Sequence, residues 1–144
     1  MDLTEAFALP NQSIVALVGG GGKTSLMFSL AREARDRGRS ALVTASTRFT
    51  RPAESDDFGL VTTTDEEAVA HIRGASWAQP MIATTGDGRL GRLQRLAPST
   101  VDDLATLGLG LIAVESDGAR GRHFKAPGDG EPVANRSLHL RARM

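Results

Sequence analysis

The chain has 144 residues, and its 17 Lys and Arg residues balance 17 Asp and Glu residues, so the formal net charge is zero. This length and a hydrophobic fraction of 40% suit one globular domain, and the even charge disfavours a nucleic-acid partner. The absence of cysteine excludes disulfide scaffolds, thiolate metal sites and cysteine nucleophiles. No apolar run approaches the roughly 18 residues of a membrane span, and no basic leader is present, which indicates a cytoplasmic protein with no membrane partner.

Short apolar runs alternate with helical patterns along the chain. The first run, residues 13–18, is mostly aliphatic and bounded by glycine, which predicts a strand buried on both faces. Residues 26–34 then carry apolar side chains at helical spacing, and Gly38 marks the end of that helix. The two patterns recur downstream and predict strands at residues 41–43, 80–84 and 109–114 and helices at residues 65–73 and 99–107.

This alternation predicts the fold class. Strands joined by helical crossovers form a mostly parallel sheet with helices on both faces, so we expect a three-layer α/β domain. We expect Thr64 to open the helix at residues 65–73, and Asp102 and Asp103 to lie in the first turn of the next helix. We also expect the sheet to end at residues 109–114, the most apolar strand. Ligands of such sheets bind at the carboxyl ends of the strands.

A glycine-rich loop lies between the first predicted strand and the first predicted helix, which is the context of a phosphate-binding loop. It consists of Gly19, Gly20, Gly21 and Gly22, followed by Lys23, Thr24 and Ser25. Successive glycines let main-chain N–H groups surround an anion at the positive end of a helix. Lys23 would reach the outer phosphates, and Thr24 would coordinate Mg²⁺. The loop therefore predicts a P-loop NTPase-like version of the three-layer fold.

The loop departs from the commonest phosphate-binding pattern, because Leu17 stands where that pattern has its first glycine. Residues 19–24 fit the shorter G-G-x-G-K-[ST] form, which resembles the loop of metal-insertion and partitioning NTPases. A plain connecting turn is a weaker alternative, since it needs only one or two glycines. A dinucleotide-binding loop is disfavoured because Thr24 replaces its third glycine and Thr44 replaces the acid that would hold the ribose.

Two carboxylates follow the most apolar predicted strand. Glu115 and Asp117 are two positions apart, so in an extended chain their side chains face the same side. In P-loop NTPases such a strand lies beside the phosphate loop, and its acids hold the Mg²⁺ shell and orient the attacking group. The predicted metal site therefore consists of Thr24, Glu115 and Asp117, and the two acids are also candidate catalytic residues. An ordinary polar strand end is the alternative.

A basic segment follows the two carboxylates and contains Arg120, Arg122 and Lys125. Lys23 and Lys125 are the only lysines of the chain, and each comes soon after one of the candidate site segments. Guanidinium and ammonium groups match oxyanions, so we predict that Arg120 and Lys125 are catalytic, with Arg122 as a further candidate. They would stabilise transferred phosphate or bind an acidic substrate. A solvent-exposed basic loop is the alternative.

The order of these motifs matches a known family. The matching segments are residues 18–24, 43–48 with Pro52, 91–93 through Leu104, 114–122, 125–127 and 131–133, and the most specific is E-x-D-G-A-R-G-R-x-x-K-A-P at residues 115–127. Over residues 13–133 the chain resembles the YqeC family, accessory proteins of selenium-dependent molybdenum hydroxylases. The resemblance implies a role in maturing such a hydroxylase, with the hydroxylase or its maturation proteins as partners.

Two features depart from the family pattern. Family members usually carry histidine before Glu-Pro-Val, where this chain has Gly130. They also continue well beyond this region, whereas here an Arg-rich segment follows Val133. We therefore expect residues 1–133 to form a nucleotide-binding domain that is incomplete relative to the family, and residues 134–144 to be an atypical tail.

Together these residues predict a protein that binds a nucleoside triphosphate, ATP or GTP, with Mg²⁺. The sequence does not choose between the two bases. Two alternatives stay open beside an accessory NTPase. One is a small-molecule kinase that uses the same phosphate loop, and the other is a non-catalytic module in which the nucleotide acts as a switch for a client protein.

Overall fold

The structure is a computed structural model that describes residues 2–18, 21–46, 49–86, 92–116 and 137–138. Its elements in chain order are α1 (Leu3–Ala6), β1 (Ser13–Leu17), α2 (Lys23–Asp36), β2 (Ala41–Ala45), β3 (Phe49–Thr50), β4 (Gly59–Thr62), α3 (Ala68–Arg73), β5 (Met81–Thr84), β6 (Arg92–Leu93), α4 (Pro98–Ala105), β7 (Leu111–Glu115) and β8 (Ser137–Leu138). All predicted strands and helices are present, with bounds that differ from the prediction by at most three residues.

Five strands pair in parallel in the order β4-β5-β2-β7-β1, and the two-residue strand β8 pairs in parallel with β1. Successive residues of the central strands alternate between two cores. In β7, Leu111 and Ala113 pack in a core with α2, whereas Ile112 and Val114 pack in a second core with α3 and α4. The predicted three-layer α/β fold with a mostly parallel sheet is therefore confirmed.

β7 occupies the centre of the sheet, so the expectation that the sheet ends at this strand is wrong. β7 pairs with β1 on one side and with β2 on the other, along its whole length of five residues. The physical reason is that β7 consists mostly of apolar residues. Four of its five side chains are buried, and a strand with both faces buried is kept from water when it lies between two other strands. β4 forms an edge instead, and its side chains alternate between half-buried and exposed.

The start of α4 differs from the prediction. The helix begins at Pro98, which places Asp102 and Asp103 beyond its first turn. Asp65 contacts the helix start instead, since its Oδ1 accepts a hydrogen bond of 2.8 Å from the N–H of Ala97, the N-cap, and another from Oγ1 of Thr100. The tertiary contact thus replaces the local acidic turn that the sequence suggested. Within the described ranges, no helix is long and apolar enough to cross a membrane.

The start of α3 and the pair β3–β6 complete the architecture. α3 begins at Ala68 rather than at residue 65, and Thr64 holds the preceding turn by accepting a 3.2 Å hydrogen bond from the N–H of Glu67. β3 and β6 pair antiparallel outside the main sheet, where Phe49 lies opposite Leu93. Both side chains are buried in the α2-side core, so this pair is anchored close to the end of β2, the strand that precedes it.

Candidate functional site

The glycine loop joins the end of β1 to the start of α2. Gly21 and Gly22 have φ angles of +84° and +72°, in the left-handed region that favours glycine. Gly22 is the N-cap of α2, and as a glycine it has no side chain with which to cap the helix. The first turn of α2 also contains no acidic residue. Neither the cap residue nor the first turn of α2 therefore adds a negative charge of its own at the positive end of the helix dipole.

Thr24 and Glu115 are in direct contact at the carboxyl end of the sheet. Oγ1 of Thr24 donates a hydrogen bond of 2.6 Å to Oε2 of Glu115. Thr24 belongs to the first turn of α2, and Glu115 is the last residue of β7. Both residues are half-buried, so solvent reaches the pair. The fold thus brings together a hydroxyl and a carboxylate that are 91 positions apart in the chain.

The main chain of Glu115 is held from both sides. In the parallel register Glu115 lies opposite Leu17 of β1 and Ala45 of β2. The N–H of Ser46 donates to the carbonyl of Glu115 at 2.9 Å, and the N–H of Ser116 donates to the carbonyl of Leu17 at 2.9 Å. These bonds continue the sheet one residue beyond β2 and β7. The carboxylate of Glu115 therefore projects from a fixed position beside the strand that leads into the glycine loop.

The oxygen atoms of Thr24 and Glu115 suit a magnesium ion. Mg²⁺ prefers oxygen ligands, keeps several water molecules and commonly takes only one or two carboxylates together with phosphate oxygens. Among the described residues there is no group of three or more His, Cys, Asp or Glu that could hold a metal ion. Thr24 and Glu115 could therefore supply two of the oxygen ligands of such an ion.

Several predicted site residues cannot be compared with this geometry. Lys23 is half-buried and Ser25 is exposed, and both flank Thr24 at the start of α2. The remaining predicted site residues, which are Gly19, Gly20, Asp117, Arg120, Arg122 and Lys125, lie outside the described residues. Their roles, including the expected convergence of Asp117 with Glu115, stay predictions.

Two serines at the same strand ends are absent from the predicted site. Ser116 is 4% exposed and Ser46 is 7% exposed. In the described part of the chain, Oγ of Ser116 has no hydrogen-bond partner, and Oγ of Ser46 makes a long contact of 3.5 Å with the carbonyl of Glu115. The signal that would have identified them is position, since each directly follows a strand at the edge where parallel sheets bind ligands.

A cavity of about 520 Å³ lies at the far side of the sheet, beside β4 and α3. Leu60, His71 and Met81 form part of its wall, and no residue of the glycine loop or of β7 does. Strands β5 and β2 separate β4 from β7. The candidate site is therefore defined by the strand ends and the Thr24–Glu115 contact, because this cavity brings together none of the predicted chemistry.

Comparison with known proteins agrees with the order of the motifs. The family model described as "YqeC protein" matches residues 15–140. The chain belongs to the YqeC family. A protein of Escherichia coli (strain K12) with the name "Uncharacterized protein YqeC" is 31% identical over 128 residues, which cover 87% of this chain and 48% of that relative. The chain thus spans about half the length of this YqeC relative. No solved structure gives a significant match.

The YqeC match includes both sides of the candidate site. Residues 15–140 contain the glycine loop, α2 and β7, and therefore Thr24 and Glu115. They also contain the segment at residues 115–127 that carries the resemblance most specifically. Membership of the YqeC family is thus established for the part of the chain that forms the site.

Proposed function

We propose that this member of the YqeC family binds a nucleoside triphosphate, ATP or GTP, together with Mg²⁺ at the carboxyl edge of its parallel sheet. The observation that carries the proposal is the 2.6 Å hydrogen bond between Thr24 and Glu115, directly after the glycine loop. A hydroxyl at the start of a helix and a carboxylate at the end of a neighbouring strand are the groups with which P-loop proteins hold their metal ion.

The glycine loop would bind the phosphates. Left-handed φ angles at Gly21 and Gly22 turn the main chain in the way that lets successive N–H groups face an anion. The start of α2 adds the positive end of a helix dipole, and Lys23 adds a full positive charge at the first helical residue. Three favourable contributions at one place suit a multiply charged anion such as a polyphosphate.

Thr24 and Glu115 would hold the metal ion, with Asp117 as a further predicted oxygen ligand. Bound Mg²⁺ neutralises charge on the phosphates. Before any ligand binds, the hydroxyl of Thr24 already donates to the carboxylate of Glu115, so the two ligands are held next to each other. Such prior positioning reduces the side-chain conformational entropy that is lost when the ligand binds.

Family membership supports a role in maturing selenium-dependent molybdenum hydroxylases. The client would be the hydroxylase or one of its maturation proteins, and the nucleotide would control the handling of the selenium-containing cofactor. Arg120, Arg122 and Lys125 would contact an acidic substrate or the transferred phosphate, because their charges match oxyanions.

Calorimetric titration with ATP and with GTP in the presence of Mg²⁺ tests nucleotide binding. Lys23→Ala should weaken the affinity about tenfold or more, because it removes the charge at the outer phosphates. Arg73→Ala is the matched control, since it removes one positive charge from the exposed end of α3. The control should bind like the wild type. Equal affinities of the wild type and Lys23→Ala, or no binding of either nucleotide, would refute the proposal.

Assays of the reaction products of the wild-type protein distinguish the three possible activities. Release of inorganic phosphate into water identifies an NTPase, whereas transfer of the phosphate to a metabolite identifies a small-molecule kinase. Tight binding with slow turnover that rises when the client is added identifies a nucleotide switch. The Thr24–Glu115 contact is common to all three activities, so the product of the reaction decides between them.

A further inference from the structure

Two buried serines, Ser46 and Ser116, follow the neighbouring strands β2 and β7 at the strand ends beside Glu115. Ser46 and Ser116 each follow a strand by one residue, directly beyond the register pair Ala45 and Glu115. Within the described part of the chain, the hydroxyl of Ser116 has no hydrogen-bond partner. That of Ser46 reaches only the carbonyl of Glu115, at 3.5 Å. Both hydroxyls are therefore almost unused.

Both hydroxyls lie on the sheet face opposite to the carboxylate of Glu115. Side chains alternate between the two faces along a strand, and Glu115 faces α2, where it meets Thr24. Ser116 is the next residue and so belongs to the face covered by α4. Ser46 has the same orientation after β2, because Leu42, an even number of positions earlier, packs in the α4-side core.

A buried hydroxyl without a partner is unfavourable, so its presence in a folded protein needs an explanation. The usual explanation is an ordered water molecule, which makes about three hydrogen bonds to buried polar groups that would otherwise be unsatisfied. Ser46, Ser116 and the carbonyl of Glu115 supply polar groups of this kind at one place. The serine pair is therefore suited to hold a single water molecule.

We infer that Ser46 and Ser116 hold the water molecule that attacks the bound nucleoside triphosphate. This inference rests on the proposed function. Phosphoryl transfer requires the attacking and leaving oxygens to lie in line, on opposite sides of the transferred group. The glycine loop and Thr24 would bind the phosphates from the α2 side of β7. Because β1 leads into the glycine loop and β2 lies on the other side of β7, the attacking oxygen would approach from the ends of β7 and β2, where the two serines lie.

The reaction is hydrolysis of the terminal phosphoanhydride. The water oxygen forms a bond to the terminal phosphorus while the bond from this phosphorus to the bridging oxygen breaks. The bridging oxygen leaves with its electron pair on the nucleoside diphosphate, and the protons of the water pass to inorganic phosphate and solvent. Ser46 and Ser116 orient the attacking oxygen by hydrogen bonds and are unchanged at the end of the reaction.

Hydrolysis of ATP and GTP by the full chain tests the inference through Ser46→Ala, Ser116→Ala and the double variant. Each single variant should lower kcat about tenfold or more and leave the affinity for Mg-nucleotide within about twofold of the wild type. The kcat of the double variant should be no lower than that of the less active single variant, because both hydroxyls hold the same water molecule. In the unliganded protein, Ser116→Ala should leave the melting temperature unchanged or raise it, since within the described residues its hydroxyl makes no hydrogen bond to another protein group.

Ser55→Ala is the matched control for a buried serine. Ser55 is 1% exposed, but its Oγ donates to the carbonyl of Pro52 at 2.6 Å and accepts from Nε of Arg51 at 2.9 Å. Replacing it removes satisfied hydrogen bonds away from the candidate site. This variant should therefore lower the melting temperature and leave kcat unchanged.

The outcomes separate this inference from the proposed function. An unchanged kcat in Ser116→Ala, a fall in its melting temperature as large as that of Ser55→Ala, or additive losses in the double variant would overturn the inference. A wild type that binds Mg-nucleotide without hydrolysing it would also overturn the inference, while the proposed function would stand. A wild type that binds no nucleotide would overturn both.

Discussion

Thr24 and Glu115 are 91 positions apart in the chain, yet the hydroxyl of Thr24 donates a hydrogen bond of 2.6 Å to the carboxylate of Glu115. The bond connects the first turn of α2 to the end of β7. α2 follows β1 through the glycine loop, and β7 pairs with β1, so the sheet topology brings the two residues to the same edge. This proximity is the structural basis of the proposed nucleotide site.

Removing the hydroxyl of Thr24 should destabilise the unliganded protein. Thr24→Val keeps the shape of the side chain and deprives the carboxylate of Glu115 of this donor, so the free energy of unfolding should fall by about 1 kcal/mol. Thr24→Ser keeps the hydroxyl and should lose clearly less. Urea denaturation of both variants measures the difference. Equal losses would mean that the methyl group, rather than the hydrogen bond, stabilises this contact.

Gly21 and Gly38 provide a matched test of the glycine loop. Their φ angles are +84° and +71°, and a Cβ atom added at either position would have no neighbour within 4 Å. Alanine should therefore cost a similar amount of stability at both positions, about 1 kcal/mol, through backbone strain alone. We expect only Gly21→Ala to weaken the binding of Mg-ATP or Mg-GTP, because Gly38 lies at the other end of α2. An equal loss of affinity in Gly38→Ala would show that strain acts on binding indirectly.

Asp57 should make stability depend on acidic pH. Its carboxylate accepts hydrogen bonds from Nε of Arg32 at 2.9 Å and from Nη1 of Arg35 at 2.7 Å. These contacts, that of Arg32 first, hold the pKa of Asp57 below its ordinary value of 3.8. Because the pKa is lower in the folded state, the stabilisation is complete above pH 3.8 and is lost as the pH falls through the folded-state value.

Thermal melts of Asp57→Asn over a range of pH measure this effect. The variant should melt below the wild type at neutral pH, and the difference should shrink as the pH falls below 3.8. Asp56→Asn, a neighbouring exposed carboxylate, is the control and should change the stability at neutral pH by less than about 0.5 kcal/mol. A difference between Asp57→Asn and the wild type that does not vary with pH would contradict this account.

Arg39 should stabilise the sheet at the end opposite to the candidate site. Its Nη2 lies within hydrogen-bond distance of three carbonyls that share its two hydrogens, those of Pro10 at 2.9 Å, Asn11 at 2.8 Å and Gly110. Arg39→Lys keeps the charge but loses the branched guanidinium, so the free energy of unfolding should fall by about 2 kcal/mol in urea denaturation. Arg37→Lys changes a more exposed guanidinium, paired with Asp2, and should cost less than about 1 kcal/mol. Equal costs would argue against the main-chain contacts of Arg39 as the cause.

The sequence predicts best the strands that are buried on both faces. β1, β2, β5 and β7 are short aliphatic runs, and α2 has a continuous apolar stripe with a glycine after its end. β4 lacks such a run because its side chains alternate at an exposed edge, and β3 and β6 exist as strands only through their mutual pairing. Local patterns do not encode such pairing.

The contacts of the candidate site are only partly predictable. The rule that parallel strands end at one edge places the glycine loop and Glu115 at the same edge. The position of β7 between β1 and β2 depends on strand order, which periodicity does not reveal. Position after a strand places Ser46 and Ser116 at this edge, but that the two are neighbours depends on the register between β2 and β7, which the sequence does not reveal.

The Mg²⁺ dependence of triphosphate binding in the wild type and in Glu115→Gln tests the proposed site most directly. The variant removes the charge and keeps an oxygen that accepts the hydrogen bond of Thr24, so the unliganded protein should melt as the wild type does. We predict that Mg²⁺ tightens binding of ATP or GTP about tenfold or more in the wild type, and about threefold or less in the variant. A wild type whose affinity does not respond to Mg²⁺, or a variant that responds as strongly as the wild type, would contradict the account.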